Sequence, residues 1–142
     1  MATVRVETEI AVASQRVWAA IADVGAVHRR LLPGRVVDAR IEEDTRILTM
    51  PDGSQVRELI ISIDHADRRM AYAVIEGQRL PLTYHHAAFH VMDQGEHSRL
   101  VWITDLLPHT MAAAVRARVE RGIVEIKQLL EAADTGRHVL EA

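Results

Sequence analysis

His85 and Glu58 are the residues of this sequence whose types best suit proton transfer. The ordinary pKa of histidine lies near neutrality, so an imidazole can act as base or acid without a large shift. A carboxylate beside it in an apolar pocket would complete an acid/base pair. Such a pair can take a proton from a carbon between two carbonyls and return one to an oxygen. The alternative for His85 is a core histidine hydrogen-bonded to a neighbour. Eight histidines also invite a metal reading, and His85, His86 and His90 form the densest group. On a strand, His85 and His86 point to opposite faces, while His86 and His90 share a face but lie about 13 Å apart. One ion cannot bridge that span. No metal and no cofactor are expected.

The elements that would position these groups are read from periodicity. Thr3 to Val12 alternates, with Val4, Val6, Thr8, Ile10 and Val12 on one face and Arg5, Glu7 and Glu9 on the other, which is a half-buried strand. Ser14 stands at a helix N-cap position, and Val17, Trp18, Ile21 and Val24 follow at helical spacing up to a stop at Gly25. A second short helix over Ala26 to Leu32 ends at Pro33-Gly34. Alternating runs then predict strands over 35–43, 45–51, 55–64, 69–76, 82–92 and 100–107. The Pro51-Asp52-Gly53-Ser54 and Asp93-Gln94-Gly95-Glu96 segments have turn chemistry. From Thr110 to Ala133, Met111, Val115, Val119, Gly122, Ile126, Leu129 and Ala133 step by three or four along one helical stripe. Asp134-Thr135-Gly136 reads as its end. Residues 1–136 thus form one α+β domain, with 137–142 a flexible tail. Connections too short for crossovers make the sheet antiparallel.

In Thr83 to Val91, the set Thr83, His85, Ala87, Phe89 and Val91 is the more apolar and is placed inward. Tyr84, His86, Ala88 and His90 then face out. In Gln55 to Ser62 both faces are apolar, and alternation leaves the face of Glu58 open. It also leaves open which face Trp102 takes, since Leu100, Thr104 and Leu106 share its parity while Val101, Ile103 and Leu107 form an equally apolar set. A sheet of about seven strands curls, and one helix about 10 Å wide cannot cover its concave face. Only Trp18, Trp102, Tyr72, Tyr84 and Phe89 supply aromatic bulk. A hollow between sheet and helix is therefore expected, with a core filled by Ile, Leu and Val the alternative.

The composition excludes several classes. With 142 residues, 49% apolar and 26% charged, the chain can bury a core and is not disordered. Seventeen basic residues against 20 acidic ones, without a basic half, give no phosphate-tracking surface, so no nucleic acid is expected. The absence of cysteine excludes disulfides and thiolate chemistry. No apolar run approaches a membrane span, and Met1 to Val12 lacks the apolar core of a secretory signal, so a cytoplasmic location is expected. A homodimer is left open. The arginines Arg116, Arg118 and Arg121, interleaved with Glu120 and Glu125, read as a solvated helix face.

Four stretches resemble the START-like, or SRPBCC, superfamily in its polyketide cyclase/dehydrase branch. They are Val17-Trp18-Ala19-Ala20-Ile21-Ala22-Asp23-Val24, then Leu31-Leu32-Pro33-Gly34, then Leu48-Thr49-Met50-Pro51-Asp52-Gly53 with Val56-Arg57-Glu58. The fourth is Tyr72-Ala73-Val74-Ile75-Glu76-Gly77 with Pro81 and His85-His86-Ala87-Ala88-Phe89-His90-Val91. Many relatives carry tryptophan where Leu31 stands and tyrosine where His85 stands. The resemblance covers Val4 to about Leu130. It implies the helix-grip fold, a curved antiparallel sheet wrapped on a long C-terminal helix with two short helices after the first strand. It also turns Glu58 inward. The inward polar set is then Arg46, Glu58, Tyr72, Glu76 and His85, with Arg46 the partner that a buried Glu58 requires. That pair either fixes sheet register or anchors a ligand's carbonyl or hydroxyl. Trp18, Trp102 and Phe89 are candidates for the apolar wall, with plain core packing the alternative for the tryptophans. The leading expectation is a binding module for an apolar or aromatic small molecule, lipid-like or polyketide-like. The alternatives are a cyclase/dehydrase-type enzyme using His85 and Glu58, or a non-catalytic interaction subunit working through a strand edge or the Val36-Val37 region.

Overall fold

The computed structural model describes residues 1–141, with side chains through residue 136. Strand β1 (Ala2–Ile10) is followed by helix α1 (Ser14–Ala22), a 3₁₀ turn over Val24–Ala26, and the short helix α2 (Val27–Arg30). Six strands follow: β2 (Asp38–Glu42), β3 (Thr45–Thr49), β4 (Gln55–Asp64), β5 (Arg69–Glu76), β6 (Tyr84–Gln94) and β7 (His97–Leu107). Helix α3 (Ala112–Glu141) closes the chain. The seven strands make one antiparallel sheet in the order β1-β7-β6-β5-β4-β3-β2. Every neighbour except β1 is adjacent in sequence. β1 closes the order by pairing with β7, Val4 opposite Thr104 and Val6 opposite Trp102.

The alternation read from the sequence sets the faces. On β7 the inward set is Leu100, Trp102, Thr104 and Leu106, all buried, and the contact of Trp102 with Gly122 of α3 settles its face. On β6 it is His85, Ala87, Phe89 and Val91. Between this concave face and the Val115, Val119, Ile123 and Ile126 stripe of α3 lies one contiguous apolar core.

Four local expectations are corrected. Ser14 is the first helical residue and not a cap; its hydroxyl accepts a hydrogen bond from Arg68 Nη1. α1 stops at Ala22, before Gly25. Strand β2 starts at Asp38, since the backbone from Leu32 to Val36 is tied into tight turns by Arg35 N–H and Val36 N–H donating to the Leu32 carbonyl. The backbone of α3 runs through Asp134-Thr135-Gly136 to Glu141. There the polar side chains bond back: the Thr135 hydroxyl donates to the Glu131 carbonyl at 2.9 Å, and Asp134 pairs with Arg16 of α1 at 2.5 Å. Side chains of the expected tail lie outside the described residues. No helix among the described residues is long and apolar enough to cross a membrane.

Candidate functional site

Between the concave face of the sheet and α3 lies a cavity of about 330 Å³. Its wall is mostly apolar: Leu48 and Met50 from β3, Val56 from β4, Val74 from β5, Leu82, and Val115 and Val119 from α3. Beside this space α3 packs along β1 and comes close to β7. Gly122 faces the Trp102 ring, and a Cβ at that position would come within 2.9 Å of Cζ3. The glycine that weakens the helix thus lets the indole lie against its backbone, with the Phe89 ring packed on the indole at a 32° tilt, 4.5 Å between centroids.

Arg46 and Glu58 face each other across β3 and β4, as their register requires. Both are buried. Arg46 Nε donates to Glu58 Oε1 at 2.8 Å, and Nη2 lies 2.7 Å from the same oxygen. Its Nη1 reaches the Val24 carbonyl at 3.3 Å, and its guanidinium carbon lies 5.3 Å from the centroid of the Tyr72 ring. The pair is neutral as a unit, so neither charge is left uncompensated in the interior. Burial, then the Glu58 charge, push the Tyr72 hydroxyl well above its ordinary pKa, so it stays a phenol. Glu58 and Tyr72 line the cavity, with Arg46 behind them.

His85 also lines the cavity, its ring centroid 6.5 Å from that of Tyr72. Burial first, and then the positive charge of Arg118 and His86, lower its pKa to about 4. It is therefore a neutral imidazole at pH 7. His86 on the opposite face sits across from Asp105, and His90 pairs with Asp67 at 3.5 Å, so the three neighbouring histidines have separate surroundings.

Three residues expected at the site stand elsewhere. Glu76 is exposed and its carboxylate lies 3.7 Å from Arg57 on the outer face. The cause is a β-bulge: Glu58 pairs with Val74 but Arg57 pairs with Glu76, so Ile75 is an extra residue that reverses the alternation. Gly77 follows at φ +79°, where a Cβ would meet the Gln55 carbonyl oxygen at 2.2 Å. Trp18 is buried in the core beside α1, and its indole donates to His65 Nδ1 at 3.1 Å, away from the cavity. Phe89 stands behind Trp102 and braces it without forming the cavity surface.

Other residues at the site were not singled out by sequence. Arg118 of α3, read as solvated, lines the cavity. Its spacing held the signal: it is three residues after Val115 and four before Gly122, on the same stripe. Burial, then Arg79, Arg35 and Arg121, lower its pKa. Arg35 and Arg79 share the cavity lining but are paired, Arg35 with Glu125 at 2.5 Å and Arg79 with Asp52 at 3.2 Å. Arg118 has no carboxylate within ion-pair reach among the described residues. Deeper in, the Trp102 Nε1 and Thr104 Oγ1 are buried with no hydrogen-bond partner. The indole lies close enough to Tyr72 to influence its hydroxyl, but outside hydrogen-bond geometry.

The fold has known counterparts. An uncharacterized protein from Bacillus thuringiensis superposes with a TM-score of 0.81 at 17% identity, over 91% of this chain and 98% of that one. Norcoclaurine synthase from Thalictrum flavum, solved with dopamine and hydroxybenzaldehyde, gives 0.70 at 19% identity, over 95% and 87%. A START superfamily protein from Mycobacterium smegmatis gives 0.69 at 15% identity, over 92% and 95%. The architecture is thus the helix-grip, START-like fold. Comparison with curated proteins finds no match. The family model described as polyketide cyclase / dehydrase and lipid transport matches residues 1–131, and the chain belongs to that family.

Proposed function

We propose that this protein holds one small, mainly apolar molecule in the cavity between sheet and α3. The observation that carries this reading is the cavity of about 330 Å³ itself, walled mainly by apolar side chains such as Leu48, Val56, Val74, Val115 and Val119. A guest's apolar body would lie along Leu48, Val56 and Val119, and its burial there would drive binding. The superfamily's ligand-binding and cyclase members, among them a synthase solved with two aromatic ligands, are consistent with such a guest. The volume is near the small end of ligand pockets, roughly 300–1,000 Å³, which favours a guest of one or two rings or a short chain. A thermal-shift screen with aromatic polyketides, flavonoids and fatty acids tests the reading. Stabilisation by at least one apolar compound is expected, and no shift with any of them would end it.

One observation favours a second reading, an enzyme of cyclase or dehydrase type. His85 faces the cavity with a neutral imidazole. It could take a proton from a carbon flanked by two carbonyls and return it to an oxygen. Glu58 would serve in this reading by holding Arg46 and the field around Tyr72, since its Oε1 is already engaged by Arg46 Nε and Nη2. Unchanged turnover by His85→Ala of any substrate identified in the screen would end this second reading.

A further inference from the structure

The three cations that line the cavity are not equivalent. Arg35 and Arg79 are neutralised by Glu125 and Asp52, while Arg118 is not. An arginine is rarely kept half-buried beside two others without a counter-ion, because like charges and lost hydration both oppose it. The field at this point is net positive, and it opens onto a mainly apolar space. The polar groups inside are mainly donors. Trp102 Nε1 can only donate, and the Thr104 hydroxyl is free to do so. The one carboxylate on the lining, Glu58, is already neutralised by Arg46.

Resting on the binding function proposed above, we infer that the guest is an amphipathic carboxylic acid. Its carboxylate sits against the Arg118 guanidinium, and its apolar body lies along Trp102 and Val119. A planar guanidinium matches a carboxylate through two parallel hydrogen bonds. A single uncompensated charge matches a monoanion better than a phosphate dianion.

The test compares an acid with its own neutral ester. 2-Naphthoic acid and methyl 2-naphthoate carry the same ring system and differ at the head group. Binding is followed by tryptophan fluorescence and calorimetry on the full chain at pH 7.5. The acid is expected to bind about tenfold or more tightly than the ester, with a preference that shrinks as salt is raised. Arg118→Gln should bring the ratio of acid to ester affinity close to one. Arg118→Lys, which keeps the charge but loses the fork, should retain part of it. Arg116→Gln, on the outer side of the same helix, should leave the ratio as in the parent protein. If the ester binds as well as the acid, or if Arg118→Gln weakens both equally, the inference is wrong while the cavity function stands. If neither compound, nor any member of the apolar screen, binds the parent protein, both fall together.

Discussion

Gly122 and Trp102 touch across the interface of helix and sheet so closely that a single added methyl would collide with the indole, at 2.9 Å from Cζ3. Two effects oppose each other in Gly122→Ala. Helix propensity favours alanine by about 1 kcal/mol. Overpacking a filled site costs roughly 1–3 kcal/mol, and here the indole cannot retreat freely because the Phe89 ring packs against it at 4.5 Å. The expected outcome is a net loss of about 1 kcal/mol in urea unfolding, with weaker ligand binding because the displaced ring intrudes on the cavity. A more stable variant with unchanged affinity would show that the contact does not shape the site.

The Arg46–Glu58 pair should behave as a unit. Arg46→Met leaves a buried carboxylate with no cation, and Glu58→Leu leaves a buried guanidinium. Each is expected to cost about 3–5 kcal/mol. The double replacement should cost much less than the sum, because no charge is then stranded. Chemical denaturation of the four proteins gives the coupling energy. Additive losses would mean that the two groups do not depend on each other.

His85 makes stability fall on the acid side. Its pKa is about 4 in the folded protein against an ordinary 6.5. Between those values the unfolded chain binds a proton that the folded protein refuses, so stability rises with pH through the window and falls as pH drops from 6.5 to 4. The loss attributable to this one side chain is on the order of 2 kcal/mol, allowing for the ring's partial exposure. His85→Gln should flatten that part of the stability profile measured by urea titration at successive pH values. An unchanged slope would place the imidazole in water.

Glu76 and Gly77 are adjacent and should respond oppositely. Glu76→Ala removes an exposed carboxylate on the outer face and should change stability by less than about 0.5 kcal/mol, with ligand affinity unchanged. Gly77→Ala places a Cβ 2.2 Å from the Gln55 carbonyl oxygen at a positive φ. A loss of about 2 kcal/mol or more is expected in thermal or urea unfolding. If the two variants unfold alike, the bulge at Ile75 does not exist in solution.

The contrast between these neighbours also explains what could be read from the sequence. Alternation placed His85 inward and His86 outward, because β6 is regular across its pairing with β7. It failed at Glu76, because a bulge adds a backbone residue without changing the residue types around it. The only trace was Gly77 immediately after. Trp102 could not be oriented, since both faces of β7 are apolar, and only Gly122 opposite settles it. Arg118 was hidden among charged neighbours, although its spacing from Val115 and Gly122 puts it on the buried stripe. The Arg46–Glu58 pair needed both the turn at Pro51 to Ser54 and the inward face of β4, and only the first is local.

Binding places a guest between sheet and helix, and the two tryptophans allow that to be seen directly. The indole N–H of Trp102 is buried at the cavity without a partner, while that of Trp18 is held by His65 at 3.1 Å outside it. In a ¹⁵N-labelled protein each gives its own indole resonance. Titration with 2-naphthoic acid is predicted to shift the Trp102 signal and leave that of Trp18 in place. Two unmoved signals at saturating ligand, or movement of Trp18 alone, would contradict a cavity that binds.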